Sequence, residues 1–331
     1  MGQLELNYRD SLTQLNSAQQ MLSVSINSKE GNNNYSQYQT DSNTNAVKQT
    51  NETLSNIVAK DAAPIPVAMT IAGSDSGGGA GIQADLRTFA FHKVHGTSAL
   101  TCITAQNTLG VNRVDALPPE AVTAQVEAVV EDIGVQAVKT GMLLNREIIS
   151  AVARIFSETS IAPLVVDPVM VSRAGTQLID NDAIATLRTQ LIPLATILTP
   201  NRYEAQILSG LQINSLENMK VAAQRIYKLG SSAILVKGGN MPGELRGVDV
   251  WFDGDHLEVL KTETIDTINT HGTGCTLSAA IVANLALEQE PLTAVKAAKA
   301  YVTTALHYAL HIGKGQGPVG HFFPLFKPFP L

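Results

Sequence analysis

The feature that most constrains the fold is a regular alternation, from Pro64 onward, of short apolar runs with amphipathic stretches. The apolar runs are continuous, which is typical of strands buried on both faces of a parallel sheet. The amphipathic stretches, such as 119–133 and 216–229, have the period of helices that cover a sheet. We therefore predict an α/β fold with a mostly parallel central sheet and helices on both faces. The strand candidates are 67–72, 98–104, 137–140, 164–166, 196–198 and 233–236, and a hairpin is predicted at 248–252 and 257–260.

The charge and hydropathy of the chain argue against two classes of partner. Its 331 residues include 23 Lys and Arg against 29 Asp and Glu, a net charge of −6 without a basic cluster, so we expect no nucleic-acid partner. No apolar run reaches the roughly 18–20 residues of a membrane helix, so we expect no membrane partner. The two cysteines, Cys102 and Cys275, are too few for a disulfide scaffold and lack zinc-site spacing, which favours a reducing, cytoplasmic location.

Residues 1–63 differ in composition from the rest of the chain, because Asn, Gln and Ser dominate them. Such a segment cannot bury enough apolar surface to offset its ordering entropy, so we predict disorder, with a short helix over 12–26 as the alternative. Its scattered acidic residues argue against a secretory or organellar leader. The predicted organisation is a disordered extension at 1–63 and one globular domain at 64–331.

The first predicted strand leads into a glycine-rich loop, Gly73-Ser-Asp-Ser-Gly-Gly-Gly-Ala-Gly81, which a helical pattern follows. Glycines let the backbone approach a ligand closely, and the helix start offers free N–H groups. The loop does not fit the dinucleotide pattern GxGxxG. The one literal match, at 315–320, follows no strand and contains a proline. The loop therefore indicates a ligand site other than a dinucleotide-binding site.

A second glycine-rich motif, Asn269-Thr-His-Gly-Thr-Gly-Cys-Thr276, directly precedes the helical pattern 277–287. Glycines and hydroxyls at a helix start form a nest of N–H donors, which suits an oxyanion or a transferring phosphoryl group. Cys275 lies in the predicted first turn, where the helix field is expected to lower its thiol pKa and favour a base or nucleophile. In the alternative interpretation, Cys275 is a small buried residue that packs the helix start.

Polar residues follow the other predicted strands, at the sheet edge where open α/β sheets bind ligands. Asp167, Asn201 and Glu204 supply the oxygens that Mg²⁺ prefers. A helix cap for Asn201 and a first-turn acid for Glu204 remain equally open. Lys237 is a candidate for contact with a nucleotide phosphate, although a solvated charge is the common fate of such a lysine.

Eight motifs along residues 66–323 together resemble one enzyme family. They are GSDSGGGAGIQADL at 73–86, AQNT at 105–108, KTGML at 139–143, DPVM at 167–170, TPN at 199–201, VKGG at 236–239, THGTGCTLSAA at 270–280 and GKGQGPV at 313–319. The chain is similar to the hydroxymethylpyrimidine/phosphomethylpyrimidine kinases of thiamine biosynthesis, members of the ribokinase superfamily. The resemblance implies a ribokinase-like three-layer α/β/α sandwich.

The resemblance further implies an enzyme that uses ATP and Mg²⁺ to phosphorylate 4-amino-5-hydroxymethyl-2-methylpyrimidine and then its monophosphate. Asp85 and Gln106 match residues that hydrogen-bond the aminopyrimidine, and Cys275 matches the catalytic base. By the same resemblance, the substrate pocket also includes Gly73, Met142 and Val169, and the anion hole is formed by Gly272 and Gly274. The residues expected on the nucleotide side are Lys139, Asn201, Lys237, Thr270 and Thr273. Asp167 and Glu204 are expected on the metal side.

Two other functions stay open at this point. A pyridoxal kinase can be built on the same scaffold, although the Gln106 amide matches an aminopyrimidine edge better than a pyridinol. A non-catalytic pyrimidine-sensing module is disfavoured, since a pure binder requires neither an anion nest nor metal-binding carboxylates. For either kinase we expect a small-molecule substrate and a homodimer.

Overall fold

The computed structural model describes residues 64–159, 161, 163–171 and 177–326. The extension predicted to be disordered, 1–63, lies outside the described residues, so its disorder stays a prediction. From Pro64 the chain forms one mixed sheet with helices packed on both faces. The predicted α/β class is confirmed.

Nine strands of the described part of the chain form a single sheet, in which parallel pairs occupy the centre. They are β1 (Val67–Asp75), β2 (His95–Asn107), β3 (Gly110–Ala116), β4 (Ala137–Thr140), β5 (Leu164–Val166), β6 (Ile197–Leu198), β7 (Ile234–Val236), β8 (Asp249–Phe252) and β9 (Leu257–Leu260). Their order is β3-β2-β1-β4-β5-β6-β7-β8-β9. The pairs from β2 through β7 are parallel, whereas β3, β8 and β9 are attached antiparallel at the two edges.

Eight α-helices connect or follow the strands. They are α1 (Gly81–Phe91), α2 (Pro119–Asp132), α3 (Arg146–Glu158), α4 (Asn181–Thr186), α5 (Arg202–Ser209), α6 (Leu216–Tyr227), α7 (Thr273–Ala286) and α8 (Pro291–His307) among the described residues. A π-helical turn at Leu187–Leu191 extends α4, and short 3₁₀ turns occur at Ile192–Leu194, Gly243–Leu245 and Phe323–Leu325.

The hydrophobic core lies in two layers, one on each face of the sheet. Within β5, Leu164 and Val166 pack into the layer beneath α2–α6, whereas Val165 packs into the layer beneath α1, α7 and α8. Successive side chains of a strand point to opposite faces, so a strand buried on both faces must be apolar throughout. This explains why continuous apolar runs predicted the parallel strands.

The starts of the helices differ in how their free N–H groups are satisfied. Asn145 and Ser215 cap α3 and α6 with their side chains, and α2 and α8 begin with proline in the first turn. The starts of α1 and α7, at Ala80 and Gly272, have neither a side-chain cap nor a proline. Uncapped N–H groups at a helix start are available to an anionic ligand.

The predicted strands are confirmed, with differences at their ends. β2 begins three residues earlier and ends three residues later than the predicted 98–104, and it continues through a turn into β3, which the sequence did not reveal. Every residue of β3 is exposed, so the strand has no alternation of apolar and polar residues to detect. None of the described helices has the length and apolar character needed to cross a membrane.

Candidate active site

The predicted ligand loops meet at one edge of the sheet, beyond the carboxyl ends of the parallel strands. A cavity of about 310 Å³ lies there. Loops after β5, β6 and β7 line it together with the start of α7. The site residues predicted from the sequence that line this cavity are Asp167, Val169, Asn201, Glu204, Lys237, Thr270, Gly272, Thr273, Gly274 and Cys275. The structure therefore brings together residues that are more than a hundred positions apart in the chain.

The glycine-rich loop after β1 is folded around the carboxylate of Asp75. Its oxygens accept hydrogen bonds from the backbone N–H groups of Gly77 (2.8 Å), Gly79 (3.0 Å) and Ala80 (2.8 Å). His271 Nε2 lies 2.8 Å from the same carboxylate. Burial alone would raise the pKa of Asp75, but the hydrogen bonds from His271 and the loop amides hold this pKa below its ordinary value. Asp75 thus ties the loop to the second glycine-rich motif.

The two glycine-rich motifs touch through their backbones. Gly272 has a φ of +80°, and a Cβ at this position would lie 1.8 Å from the carbonyl oxygen of Gly79. A side chain at Gly79 would in turn meet the ring of His271. Both positions therefore require glycine, at Gly272 for the positive φ as well as for space. The contact places the first loop directly beside the start of α7.

Cys275 lies in the first turn of α7, where the charges of Lys139, Asp85 and Asp167 act on its sulfur. The expectation that the helix field lowers its pKa was wrong. Burial, with the negative charges of Asp85 and Asp167, raises the pKa of Cys275 to about 11, although Lys139 acts in the opposite direction. Cys275 is therefore a thiol at neutral pH in the free protein, because desolvation outweighs the positive charge and the helix N-terminus.

A fully buried ion pair lies near Cys275. Lys139 Nζ on β4 donates to Asp85 Oδ2 on α1 at 2.8 Å, and both side chains are 0 % exposed. Thr70 donates to the same Asp85 oxygen at 2.7 Å. Lys139 was predicted on the nucleotide side, but it does not line the cavity, because its charge is used to neutralise Asp85.

The second oxygen of Asp85, Oδ1, has no hydrogen-bond partner among the described residues although it is buried. Burial raises the pKa of Asp85, and Lys139 with Thr70 only partly offsets this effect. An unpaired buried carboxylate oxygen is costly to keep, so it indicates a ligand that donates a hydrogen bond there. Asp85 does not line the cavity, and its role in holding the substrate stays a prediction.

A second ion pair links β5 to the strand edge after β7. Lys237 Nζ donates to Asp167 Oδ1 at 2.8 Å, and Ser278 Oγ of α7 donates to Asp167 Oδ2 at 3.2 Å. Burial would raise the pKa of Asp167, but Lys237 and Lys139 hold it below its ordinary value. Lys237 is therefore not a solvated surface charge. It is a cation held at the cavity wall, next to a carboxylate.

Asn201 and Glu204 form a capping box at the start of α5. Asn201 Oδ1 accepts from the N–H groups of Tyr203 (2.9 Å) and Glu204 (3.1 Å), and Glu204 Oε2 accepts from the N–H of Asn201 at 2.7 Å. The helix-cap interpretation of Asn201 is thereby confirmed, and Glu204 is the first-turn acid of its alternative interpretation. Burial raises the pKa of Glu204 to about 8. Both residues nevertheless line the cavity, so capping does not remove them from the site.

The remaining substrate-pocket residues lie near β1 and β2. A side chain on Gly73 would meet Cys102 Sγ at 2.7 Å and Met142 Cε at 2.9 Å, so Gly73 and Met142 are packed together. Their substrate-pocket role stays a prediction. Gln106, at the end of β2, lies 3.4 Å from His271, with the distance measured between their Nε2 atoms. The first glycine-rich loop, Met142, Gln106 and the second motif are therefore neighbours.

Sequence reasoning missed several residues that organise this edge. Asp75 and His271 stood within the two motifs but were given no role. The ion pair between Asp249 and Lys299 (2.7 Å), whose two residues line the cavity, was also missed. A single sequence does not show which distant side chains will form a hydrogen bond or an ion pair. It shows only that an acidic or basic residue stands at the end of an apolar strand.

The fold and this edge together define a phosphotransferase of the ribokinase-like α/β class, because a helix-start anion nest stands beside buried cations and carboxylates. The family model described as phosphomethylpyrimidine kinase matches residues 75–320. The chain belongs to the phosphomethylpyrimidine kinase family.

Similar proteins agree with this membership. A hydroxymethylpyrimidine/phosphomethylpyrimidine kinase of Synechococcus elongatus is 61% identical over 262 residues, which cover 79% of this chain and 99% of that protein. Among solved structures, a Bacillus subtilis pyridoxal kinase in an ADP complex superposes with a TM-score of 0.74 at 40% identity, covering 80% of this chain and 100% of that one. A phosphomethylpyrimidine kinase of Clostridium difficile gives a TM-score of 0.66 at 42% identity, covering 73% and 99%.

Proposed function

We propose that this protein transfers the γ-phosphoryl group of ATP to 4-amino-5-hydroxymethyl-2-methylpyrimidine and then to the resulting monophosphate. The observation that carries the proposal is the adjacency of two features. The uncapped start of α7, with Cys275 in its first turn, supplies a nest for a transferring phosphoryl group. α1, the helix that carries Asp85, packs against α7. A Cβ on Gly272 would meet the carbonyl oxygen of Gly79, just before α1, so the helix of the substrate-side carboxylate lies beside the nest.

The nucleotide belongs on the cavity side of the nest. Lys237, Thr270 and Thr273 line the cavity and offer a cation and hydroxyls to phosphate oxygens. The related B. subtilis pyridoxal kinase binds ADP, which supports a nucleotide donor for this chain. In such a transfer the protein contributes mainly position and charge stabilisation, which the nest, Lys237 and the adjacent carboxylates supply.

The donor set at the cavity wall fits a magnesium ion. Asp167 and Glu204 both line the cavity and present only oxygen ligands. The described residues contain no cluster of three or more acidic, His or Cys side chains that could hold a metal by themselves. Mg²⁺ commonly binds through one or two carboxylates and completes its shell with water and substrate phosphates. Bound there, it would neutralise charge on the transferring phosphates.

The substrate side is better matched to an aminopyrimidine than to pyridoxal. The preference rests on Gln106 at the end of β2, whose amide can both accept from and donate to an aminopyrimidine edge. The buried Asp85 Oδ1 requires a donor, which the exocyclic amine or the phenolic hydroxyl of pyridoxal can supply. Pyridoxal kinase activity remains the second candidate, since pyridoxal kinases are among the solved structures of this fold with 36–40% identity. Turnover of the pyrimidine, its monophosphate and pyridoxal, measured side by side with ATP, tests the proposal. Preferred turnover of pyridoxal would overturn it.

Replacing Gln106 with methionine tests the substrate pocket. We expect Gln106→Met to raise the pyrimidine KM by a factor corresponding to about 1–3 kcal/mol, because the ring edge loses a polar partner in the pocket. The KM for ATP should stay unchanged. The exposed Gln190→Met is the matched control and should leave both constants as in the wild type. An equal loss of ATP binding would show that Gln106 does not face the pyrimidine.

The raised pKa of Glu204 predicts a pH-dependent stability. Between its ordinary value of 4.5 and its folded value of about 8, the folded protein holds a proton that the unfolded chain has released. The free energy of unfolding should therefore fall as pH rises through this window, and Glu204→Gln should reduce that fall. Urea unfolding across the window measures both slopes. The exposed Glu217→Gln, also in a first helical turn, should keep the wild-type slope, and an unaltered slope in Glu204→Gln would contradict the prediction.

We also propose that the protein forms a homodimer through the β2–β3 ribbon. Apolar side chains are exposed on this ribbon and its turn, namely Ile103, Leu109, Val111 and Val114. Val114, which pairs with Thr104, and Val111, which pairs with Gln106, lie on one face of the ribbon. Exposed apolar side chains that share a face are commonly covered by a partner. Light scattering of the wild type and of Val111→Lys tests this: the mass should fall from two chains to one. A wild-type mass of one chain would overturn the dimer.

A further inference from the structure

We propose that Asp249 is a positioning residue, which directs the Lys237 cation toward the nucleotide through the backbone of Gly238. Its partner Lys299 neutralises the carboxylate, so that an acid can serve this purpose at the wall of the cavity. The inference rests on the proposed function, in which Lys237 contacts a phosphate of the nucleotide. It extends that function by naming the residues that hold this cation in place.

The backbone on each side of the Lys237 Cα atom is held by a hydrogen bond. The N–H of Lys237 donates to the carbonyl oxygen of Pro200 at 2.8 Å. The N–H of the next residue, Gly238, donates to Asp249 Oδ1 at 2.8 Å. These N–H groups belong to the two peptide planes that meet at the Lys237 Cα atom. Each plane is rigid, so fixing both of them fixes the direction in which the Lys237 side chain leaves the backbone.

Asp249 supplies this acceptor where the pairing of two strands ends. At this end of the sheet the last paired residues of β7 and β8 are Val236 and Val250, so Gly238 lies beyond the ladder. Gly238 is buried, and a buried N–H without an acceptor is costly. A Cβ on Gly238 would lie 1.8 Å from the carbonyl oxygen of Val248, so the two segments are in direct contact. The Asp249 side chain therefore takes the place of a strand partner for Gly238.

Lys299 of α8 compensates the charge of Asp249. Its Nζ donates to Asp249 Oδ2 at 2.7 Å and to the carbonyl oxygen of Gly247 at 2.6 Å. The side chains of Asp249 and Lys299 are 7% and 9% exposed, and both residues line the cavity. A carboxylate without a cation beside it would repel a polyphosphate that enters this cavity. Lys299 removes that repulsion and leaves Oδ1 of Asp249 to accept from Gly238.

The alternative interpretation is that the ion pair binds the nucleotide directly, since both of its residues line the cavity. The two interpretations differ in whether the effect of Asp249 depends on Lys237. A positioning residue acts only while the residue that it positions is present, whereas a direct contact acts without it. Substitutions at Asp249 and Lys237 should therefore be non-additive if Asp249 positions Lys237, and additive if it binds the nucleotide itself.

The experiment compares two double variants that both lack the ion pair. Asp249→Asn with Lys299→Met keeps an oxygen that accepts from Gly238, whereas Asp249→Ala with Lys299→Met removes this acceptor. Calorimetry measures the Kd of ADP in the presence of Mg²⁺, and the pyrimidine KM is measured on the same preparations. We expect the asparagine variant to bind ADP within about threefold of the wild type and the alanine variant to bind it about tenfold more weakly. The pyrimidine KM should stay unchanged in both.

Both double variants are then combined with Lys237→Met. Without the lysine, we expect their Kd values for ADP to differ by less than about twofold, because no cation remains to be directed. A difference of about tenfold that persists without Lys237 would show a direct contact and overturn the inference. Equal ADP affinities of the asparagine and alanine variants that retain Lys237 would overturn it too.

The remaining measurements separate a structural role and the proposed function from the inference. Parallel losses in ADP affinity and in the pyrimidine KM would show a merely structural role of Asp249 and overturn the inference alone. Failure of the wild type to bind ADP would overturn the proposed function, on which the inference rests. The melting temperature of each variant shows whether it folds. Asp249→Val, which fills the site without an acceptor, and Lys237→Gln replace the alanine and methionine variants that do not fold, with the same expected Kd values.

Discussion

Replacing Lys139 with methionine should lower the free energy of unfolding by about 3–5 kcal/mol. Lys139 and Asp85 are both fully buried, and their contact is 2.8 Å long. Methionine fills a similar volume but leaves the buried Asp85 carboxylate with Thr70 as its remaining hydrogen-bond donor among the described residues. Breaking one half of a buried pair costs more than the pair contributes, because the second charge keeps its desolvation penalty. Urea unfolding at neutral pH measures the loss.

The matched control is Lys296→Met. Lys296 pairs with Glu258 at 2.8 Å, the same distance, but its side chain is 49% exposed. Exposed pairs contribute about 0–1 kcal/mol, so this variant should unfold nearly as the wild type does. The double variant Lys139→Met, Asp85→Leu removes both buried charges and should regain much of the stability. Equal small losses for Lys139→Met and Lys296→Met would show that burial does not govern the pair.

Replacing Cys275 with alanine should lower kcat by about 10²- to 10⁴-fold and leave both KM values nearly unchanged. The thiol lies in the first turn of α7, and the backbone nest proposed to bind the phosphoryl group does not depend on its side chain. Because the pKa of Cys275 is about 11 in the free protein, only a small fraction is thiolate at neutral pH. The wild-type kcat/KM, which reports ionisations of the free protein, should therefore rise with pH below this value, whereas kcat/KM of the alanine variant should not.

The packing interpretation of Cys275 predicts the reverse result. Alanine would then lower the melting temperature, since a cavity forms at the helix start, while kcat stays within a few-fold of the wild type. Cys275→Asp supplies a carboxylate in place of the thiol and should recover part of the rate if a base is what the position requires. Measuring kcat, both KM values and the melting temperature on the same preparations separates the interpretations.

The parallel strands of the sheet could be predicted from the sequence, because a strand buried on both faces is a continuous run of apolar residues. The limits of β4, Ala137–Thr140, and of β5, Leu164–Val166, agree with the predicted ranges. β3 was missed because exposed residues such as Asn112 and Arg113 carry no burial pattern. The resemblance to a known family located the site motifs, and their meeting at one edge follows from the parallel strands.

The electrostatics of the site could not be predicted in the same way. The pKa of Cys275 depends on whether desolvation or the helix start dominates, and only the packing around the sulfur decides this. Likewise, the sequence predicts that Lys139 is a free cation at a strand end, because its partner Asp85 lies 54 positions away in the chain. Glu204 is a third case. It lies in the first turn of α5, where it accepts from the N–H of Asn201, and it also lines the cavity. The first-turn and metal-side interpretations of Glu204 are therefore compatible.

The hydrogen bond between Asp75 and His271 joins residues 196 positions apart in the chain. A site assembled from such distant segments is absent from the unfolded chain, so its ligands bind the native state alone. Each ligand then opposes unfolding by mass action, by about 2.7 kcal/mol at a hundredfold excess over its Kd. The lifetime of this protein should therefore follow the supply of its own substrates. When nucleotide and pyrimidine are scarce, the same molecules become easier to unfold and to degrade.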